Sequence, residues 1–228
     1  MKLFYPFSRI FSPLLQSWAF GDGGIIIIFI LLIIQLPAQD NRLRLQQADL
    51  LENKNINGKS TQFLTGNVVF KKGQMTIRCD NARYIERTGQ GLLIGHVVMD
   101  KEGQKLTADS VHFDSPNDKF TCYNNVHIWD EDYDLTADTV IYYSELDSGI
   151  ANGNSKMIQE SQIITAHHLR YVKHERKNAV SYTAEQDVTI VESARVATCG
   201  LAIYDVGNDK TWLRINPKLE EEGRVLEG

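Results

Sequence analysis

Cysteine, proline and long apolar runs are all scarce in this chain of 228 residues, and each scarcity excludes something. The three cysteines, Cys79, Cys122 and Cys199, are an odd and widely spaced set that cannot build a disulfide framework. They read as small apolar side chains for a core. Five prolines and an ordinary apolar content exclude collagen-like and low-complexity chains. Basic residues number 24 against 29 acidic ones and form no stripe. Neutralising nucleic-acid phosphates needs a concentrated positive face, so no nucleic-acid partner is expected.

Catalytic and cofactor signatures are missing too. There is no phosphate-cradling Gly-Lys loop, no nucleophile elbow and no dinucleotide fingerprint, so neither an enzyme nor a cofactor is expected. The histidines, His96, His112, His127, His167, His168 and His174, lack a metal-ligand spacing. Adjacent histidines on a strand point to opposite faces, so only one of His167 and His168 could join His174. Glu131, Asp132 and Asp134 lack the twelve-residue arrangement of a calcium loop and read as a solvated turn. Trp129 alternates with Ile128 and is expected on the outer face.

The longest apolar run, residues 25–36, falls short of the roughly 20 residues that a membrane-spanning helix needs. Lys2 and Arg9 precede it, and Pro37-Ala38-Gln39 follows. That order is the layout of a signal peptide, which predicts export and cleavage after Ala38. Retention of the segment as an uncleaved anchor is the alternative. The expected organisation is a signal segment over residues 1–38, a β-domain over 39–217 and a charged flexible tail over 218–228.

What the chain does have is a repeat. Gly66-Asn67-Val68, Gly95-His96-Val97, Asn124-Asn125-Val126 and Gly153-Asn154-Ser155 recur every 29 residues. Cys79-Asp80, Ala108-Asp109, Ala137-Asp138 and Ala166-His167 keep the same step. A fifth copy, Asp187-Val188 with Cys199-Gly200, lags by 33 and loses the Ala-Asp marker. A half copy, Ala48-Asp49, precedes the first. Within each copy apolar residues stand two apart, as at 68 and 70, 77 and 79, and 82 and 84. That is the strand period, which sends alternate side chains to one face. Gly, Asn, Asp and Ser punctuate the copies, as at Gly73, Gly103, Thr88-Gly89 and Asn117-Asp118.

The chain is therefore predicted to be all-β, with two short strands per repeat. Single repeats cannot bury their own apolar face, so neighbours must stack into a continuous core. An elongated, open, V-shaped β-jellyroll and a right-handed parallel β-helix both satisfy this. The small column Cys79, Ala108, Ala137, Ala166 and Cys199 predicts a narrow place in the core. Asp80, Asp109 and Asp138 are expected to accept backbone hydrogen bonds at bends rather than to form a catalytic ladder.

The motifs Ala48-Asp49, Leu64-Thr65-Gly66-Asn67-Val68, Asp80-Asn81-Ala82-Arg83-Tyr84, Leu106-Thr107-Ala108-Asp109 and Leu135-Thr136-Ala137-Asp138 resemble the OstA-like (LptA-like) family of periplasmic lipopolysaccharide-transport proteins. The resemblance covers about residues 45–205. It implies a β-jellyroll in the periplasm of a Gram-negative bacterium. It further implies lipopolysaccharide as a partner, its acyl chains riding in an apolar groove. Other jellyroll domains would pair edge to edge with it, either identical subunits or membrane-anchored transport components. Carried onto this chain, the groove lining is Val68, Phe70, Ile77, Leu106, Val111, Phe113, Ile128, Leu135, Val140, Tyr142, Ile164, Leu169 and Tyr171. Their role would be passive apolar contact. Plain core fits the same pattern. The other readings open at this stage are a structural or adhesive β-solenoid that binds no lipid, and a polysaccharide-acting enzyme on a β-helix.

Overall fold

In the computed structural model, residues 43–131, 133–144, 146, 148–174, 179–205 and 210–228 are described. The expected signal segment lies outside them.

Among the described residues, fifteen strands form one sheet. They begin with β1 (Arg44–Gln47), β2 (Leu50–Ile56), β3 (Lys59–Lys72), β4 (Met75–Ile85) and β5 (Gln90–Lys101). The middle comprises β6 (Gln104–Asp114), β7 (Lys119–Trp129), β8 (Tyr133–Tyr143), β9 (Ser148–Gln159) and β10 (Gln162–His174). The end comprises β11 (Ala179–Glu192), β12 (Arg195–Asp205), β13 (Lys210–Arg214), β14 (Lys218–Glu221) and β15 (Arg224–Glu227). From β3 to β12 each strand pairs antiparallel with the next. A parallel β-helix is thereby excluded, because its coils pair parallel strands. The architecture is the open β-jellyroll.

The strands are longer than the repeat suggested, at 11 to 14 residues from β3 to β12. The Gly-Asn markers do not separate two strands; they bend one. Register shifts fall at the marker in each ladder from β3 to β12, as between Thr65 and Val68, Ile94 and Val97, and Tyr123 and Val126. The backbone there turns left-handed: φ is 75° at Gly66, 80° at Gly95 and 72° at Gly153. Glycine enters that region without steric cost, and Asn is among the few side chains that tolerate it. A Cβ at any of these three glycines would lie 2.4 Å from a carboxylate oxygen of Asp49, Asp80 or Asp138. Each bend thus needs a residue with no side chain beside an aspartate.

The aspartates differ from expectation in their partners. Asn67, Asn125 and Asn154 donate side-chain hydrogen bonds to Asp49, Asp109 and Asp138 at 2.8, 3.0 and 2.9 Å. His96 Nδ1 meets Asp80 at 2.7 Å, and that carboxylate raises the His96 pKa above its ordinary value. The result is a polar spine outside the fold line. Inside it lies the small column, with Cys79, Ala108, Ala137, Ala166 and Cys199 all buried. The fifth copy departs for a steric reason. Ile215 takes the left-handed position opposite it (φ 64°), and a Cβ at Gly200 would be 2.7 Å from Ile215 Cγ2. Where a branched residue replaces the bend glycine, glycine replaces the aspartate.

Bending the strands from β3 to β12 folds the sheet into two facing halves. The first half holds Val68–Lys72, Met75–Cys79 and their neighbours; the second holds Gln62–Thr65, Asn81–Ile85 and theirs. Phe70 of the first half lies 6.4 Å from both Tyr84 and Phe113 of the second, ring centre to ring centre. The core sits between the halves, with Val68, Phe70, Ile77, Leu93, Val97, Val111 and Phe113 almost fully buried. Side chains of this size contribute roughly 1.5–3 kcal/mol each on full burial. The four extra residues in the fifth copy lengthen the β10–β11 hairpin, whose ladder runs out to His174 and Ala179. Residues 218–228, expected as a loose tail, instead pair β14 on β12 and β15 on β14.

Ser155 replaces the inward valine of the other copies. It is 1% exposed, and its hydroxyl has no hydrogen-bond partner. Ser155→Val is expected to raise stability by about 1–2 kcal/mol in denaturant unfolding, since it removes an unsatisfied hydroxyl and adds apolar burial. An unchanged or lower midpoint would count against this account of the column.

Candidate functional site

Three groups join the free lips of the two half-sheets near one end. Lys72 ends β3 in the first half; Asp118 precedes β7 and Ser144 follows β8 in the second. Lys72 and Asp118 form a buried ion pair. Lys72 Nζ also donates to Ser144 Oγ at 3.0 Å, and Ser144 donates to Asp118 at 2.7 Å. The ammonium stands 5.7 Å from the Phe120 ring centre. Buried charges persist only when paired and hydrogen-bonded, and this set satisfies both demands. It clasps the mouth of the V.

Behind the clasp the interior is filled. Tyr84 stacks on Phe113 at 5.8 Å, with Phe70 against both. Gly91 makes room: a Cβ there would lie 2.4 Å from Phe113 Cε1.

Further along, the halves enclose a cavity of about 330 Å³. The first half lines it with Met75, Met99, Leu106, Ile128, Leu135 and Met157. The second contributes Val140, Tyr142, Gly149, Ala151, Leu169, Tyr171 and Tyr182, among others. Lys101, Gln104, Asp130, Tyr133 and Gln159 stand at the strand ends of the first lip, so the polar part of the lining gathers at the mouth. Gly149 occupies the place in the row that Gly91 holds behind the clasp, but no ring fills the gap. A Cβ at Gly149 would find Ile141 O at 3.3 Å and a Tyr142 ring carbon at 3.9 Å.

Of the thirteen residues expected to line a groove, Leu106, Ile128, Leu135, Val140, Tyr142, Leu169 and Tyr171 line the cavity. Val68, Phe70, Ile77, Val111, Phe113 and Ile164 point inward too, but they are buried as packed core. Sequence reasoning missed Met99, Gly149, Tyr133 and Tyr182. The column 91, 120, 149 reads Gly, Phe, Gly at the repeat step and carried the signal for Gly149. The lag of the fifth copy hid Tyr182.

The cysteines are buried and unpaired. Burial pushes the Cys79 thiol up to about 11 and the Cys122 thiol up to about 12, which leaves both protonated and unreactive. Among the described residues no group of three or more His, Cys, Asp or Glu is placed to hold a metal. Trp129 lies in register with Lys105 and Asp134 on the outer face and stacks on His127 at 4.3 Å.

A family model described as "LptA/(LptD N-terminal domain) LPS transport protein" matches residues 47–177 and, overlapping, 105–228. No curated protein matches the chain. Among solved structures the chain is similar to LptH, the LptA-homologous periplasmic component of the lipopolysaccharide transport device of Pseudomonas aeruginosa. That likeness has 12% identity and a TM-score of 0.48, covering 54% of this chain and 99% of the other.

Proposed function

The chain belongs to the LptA/(LptD N-terminal domain) family of lipopolysaccharide-transport proteins, and from that membership we propose that it carries lipopolysaccharide across the periplasm with acyl chains held between its half-sheets. The observation that supports this best is the cavity itself: inward columns that elsewhere pack against each other here stand apart around about 330 Å³. That volume lies within the range of ligand pockets, and its floor is aliphatic. Each chain methylene buried there contributes roughly 0.8 kcal/mol. The role is passive containment, and the family is one of transport proteins rather than enzymes.

Partners of the same architecture would join at the sheet edges. β2 is exposed along its whole length, including Leu50, Leu51 and Ile56. β13 and β15 form the opposite edges, with Trp212, Val225 and Leu226 exposed. Unpaired strand edges are templates for strand addition by another jellyroll, identical or membrane-anchored.

The test is photocrosslinking in intact cells with a photoreactive residue at Leu135, at outward Thr139 and at Phe70 in the filled section. Lipopolysaccharide adducts are expected at 135 alone. A folded protein that gives no adduct at 135, or equal adducts at 139, removes the transport chamber.

A further inference from the structure

Gln104, Asp130 and Tyr133 line the cavity at its mouth. The chain neighbour of each, Lys105, Trp129 and Asp134, lies one residue away on the outside of the first half-sheet. These three stand in register, with Trp129 between Lys105 and Asp134. The turn between β7 and β8 is held by its own hydrogen bonds. Tyr133 N donates to Asp130 Oδ1 at 3.0 Å, and Asp130 N donates to Tyr133 O at 3.1 Å. The outer cluster is therefore fixed at the rim of the chamber, one residue over the lip.

His127 Nε2 donates to Asp134 Oδ2 at 2.9 Å, and the His127 ring stacks on the Trp129 indole at 4.3 Å with the planes 23° apart. His127 covers the indole from the body of the strand. Trp129 is the last residue of β7, so no strand residue follows it on the side toward the lip. His127, Trp129 and Asp134 are all partly exposed, and Lys105 is exposed.

The repeat does not ask for this group. At the 29-residue step the column of Trp129 reads Lys71, Asp100, Trp129 and Ile158; that of His127 reads Val69, Val98, His127 and Lys156. The column of Asp134 reads Thr76, Lys105, Asp134 and Ile163. Of these four copies, the one at the chamber mouth alone joins two aromatic rings to a carboxylate. The core gains nothing from it, because Ile128 and Leu135 fill the inner face of the same strands. The histidine–aspartate pair, 37% and 47% exposed, belongs to a class of contact that adds little to stability.

Its chemistry suits a sugar. The face of an aromatic ring is negative, and it attracts the slightly positive C–H face of a pyranose. Sugar hydroxyls donate to a carboxylate such as Asp134, and sugar oxygens accept from an ammonium such as Lys105. A phosphate head would meet the Asp134 carboxylate as well as Lys105.

We propose that Trp129, His127, Asp134 and Lys105 form a platform for the saccharide head of the cargo. The inference rests on the chamber reading above: an amphiphile whose chains lie between the half-sheets brings its head out over this lip, onto the platform.

The experiment measures dissociation constants of the purified chain for dodecyl maltoside and dodecylphosphocholine, which share an alkyl chain and differ in head, both below micelle formation, and for free maltose. Trp129→Thr is expected to weaken maltoside binding about tenfold and to leave phosphocholine binding unchanged. Trp129→Phe is expected to keep most of the maltoside affinity. Asp134→Asn leaves the core in place and is expected to cost severalfold on the maltoside alone, which keeps the decision open to measurement should Trp129→Thr not fold. Free maltose is expected to bind at least a hundredfold more weakly than the maltoside. Maltoside binding that survives these changes, or a fall shared equally by both detergents, overturns the platform and leaves the chamber standing. Maltose bound as tightly as maltoside overturns the link between platform and chamber. Failure of both detergents to bind the folded wild type removes the chamber and the platform together.

Discussion

Replacing Lys72 by Met is expected to lower the unfolding free energy by about 3–5 kcal/mol, among the largest effects of any single change in this chain. The reason is the burial of its partner. Asp118 is 9% exposed, and without the ammonium its carboxylate keeps the Ser144 hydroxyl but loses its counter-charge in a setting closed to water. Removing one member of a buried pair costs far more than removing both. The double variant Lys72→Met, Asp118→Leu is accordingly expected to recover most of the loss. Denaturant unfolding of the two variants beside the wild type checks both statements. A single variant as stable as the wild type would mean that the clasp contributes nothing to the fold. A double variant as unstable as the single would assign the effect to Lys72 packing on Phe120 instead. The clasp also holds the lips together where the interior is already full, so its loss is expected to leave cargo contact at Leu135 little changed.

Gly149→Phe should have the opposite profile, with stability nearly retained and cargo binding lost. The position lies in the inward row between Tyr142 and Tyr171, so a new ring would stand in the cavity. Its backbone is not left-handed, and the nearest atom to a new Cβ, Ile141 O at 3.3 Å, asks for a shift of only a few tenths of an ångström. A ring in a chamber of about 330 Å³ displaces several chain methylenes, each worth roughly 0.8 kcal/mol of apolar contact. The expected outcome is at least a tenfold fall in lipopolysaccharide crosslinking at Leu135, with the unfolding midpoint nearly unmoved. Full crosslinking in a folded Gly149→Phe protein would show that acyl chains do not use this chamber. The same substitution at Gly91 is expected to unfold the protein, because Phe113 already occupies the space.

These two glycines mark the limit of what the sequence discloses. Both stand in one column of the repeat, 58 residues apart, and nothing local separates them. Gly91 faces a ring supplied by β6, whereas Gly149 faces an empty interval. The difference depends on which side chains the facing half-sheet brings up, and that is a contact across the fold. Lys72, Asp118 and Ser144 are similar. As sequence they are a turn lysine, a turn aspartate and a loop serine, all of types normally solvated, and only the closing of the lips buries them.

By contrast, the period and the inward columns were legible directly. Alternation at two residues sets which side chains share a face, and the 29-residue step stacks those faces whatever the remote contacts are. The Gly-Asn and Ala-Asp markers act locally as well, through a left-handed backbone and the carboxylate seated on it. Their role as bends within long strands, rather than breaks between short ones, emerged only when both flanking ladders were paired. The sequence by itself therefore determined an all-β repeat with an apolar inner face and membership of a transport family. Tertiary structure alone decided where that inner face closes on itself and where it stands open. Face assignment follows from the local geometry of the backbone, whereas the gap between facing sheets is set by side chains far apart in the chain.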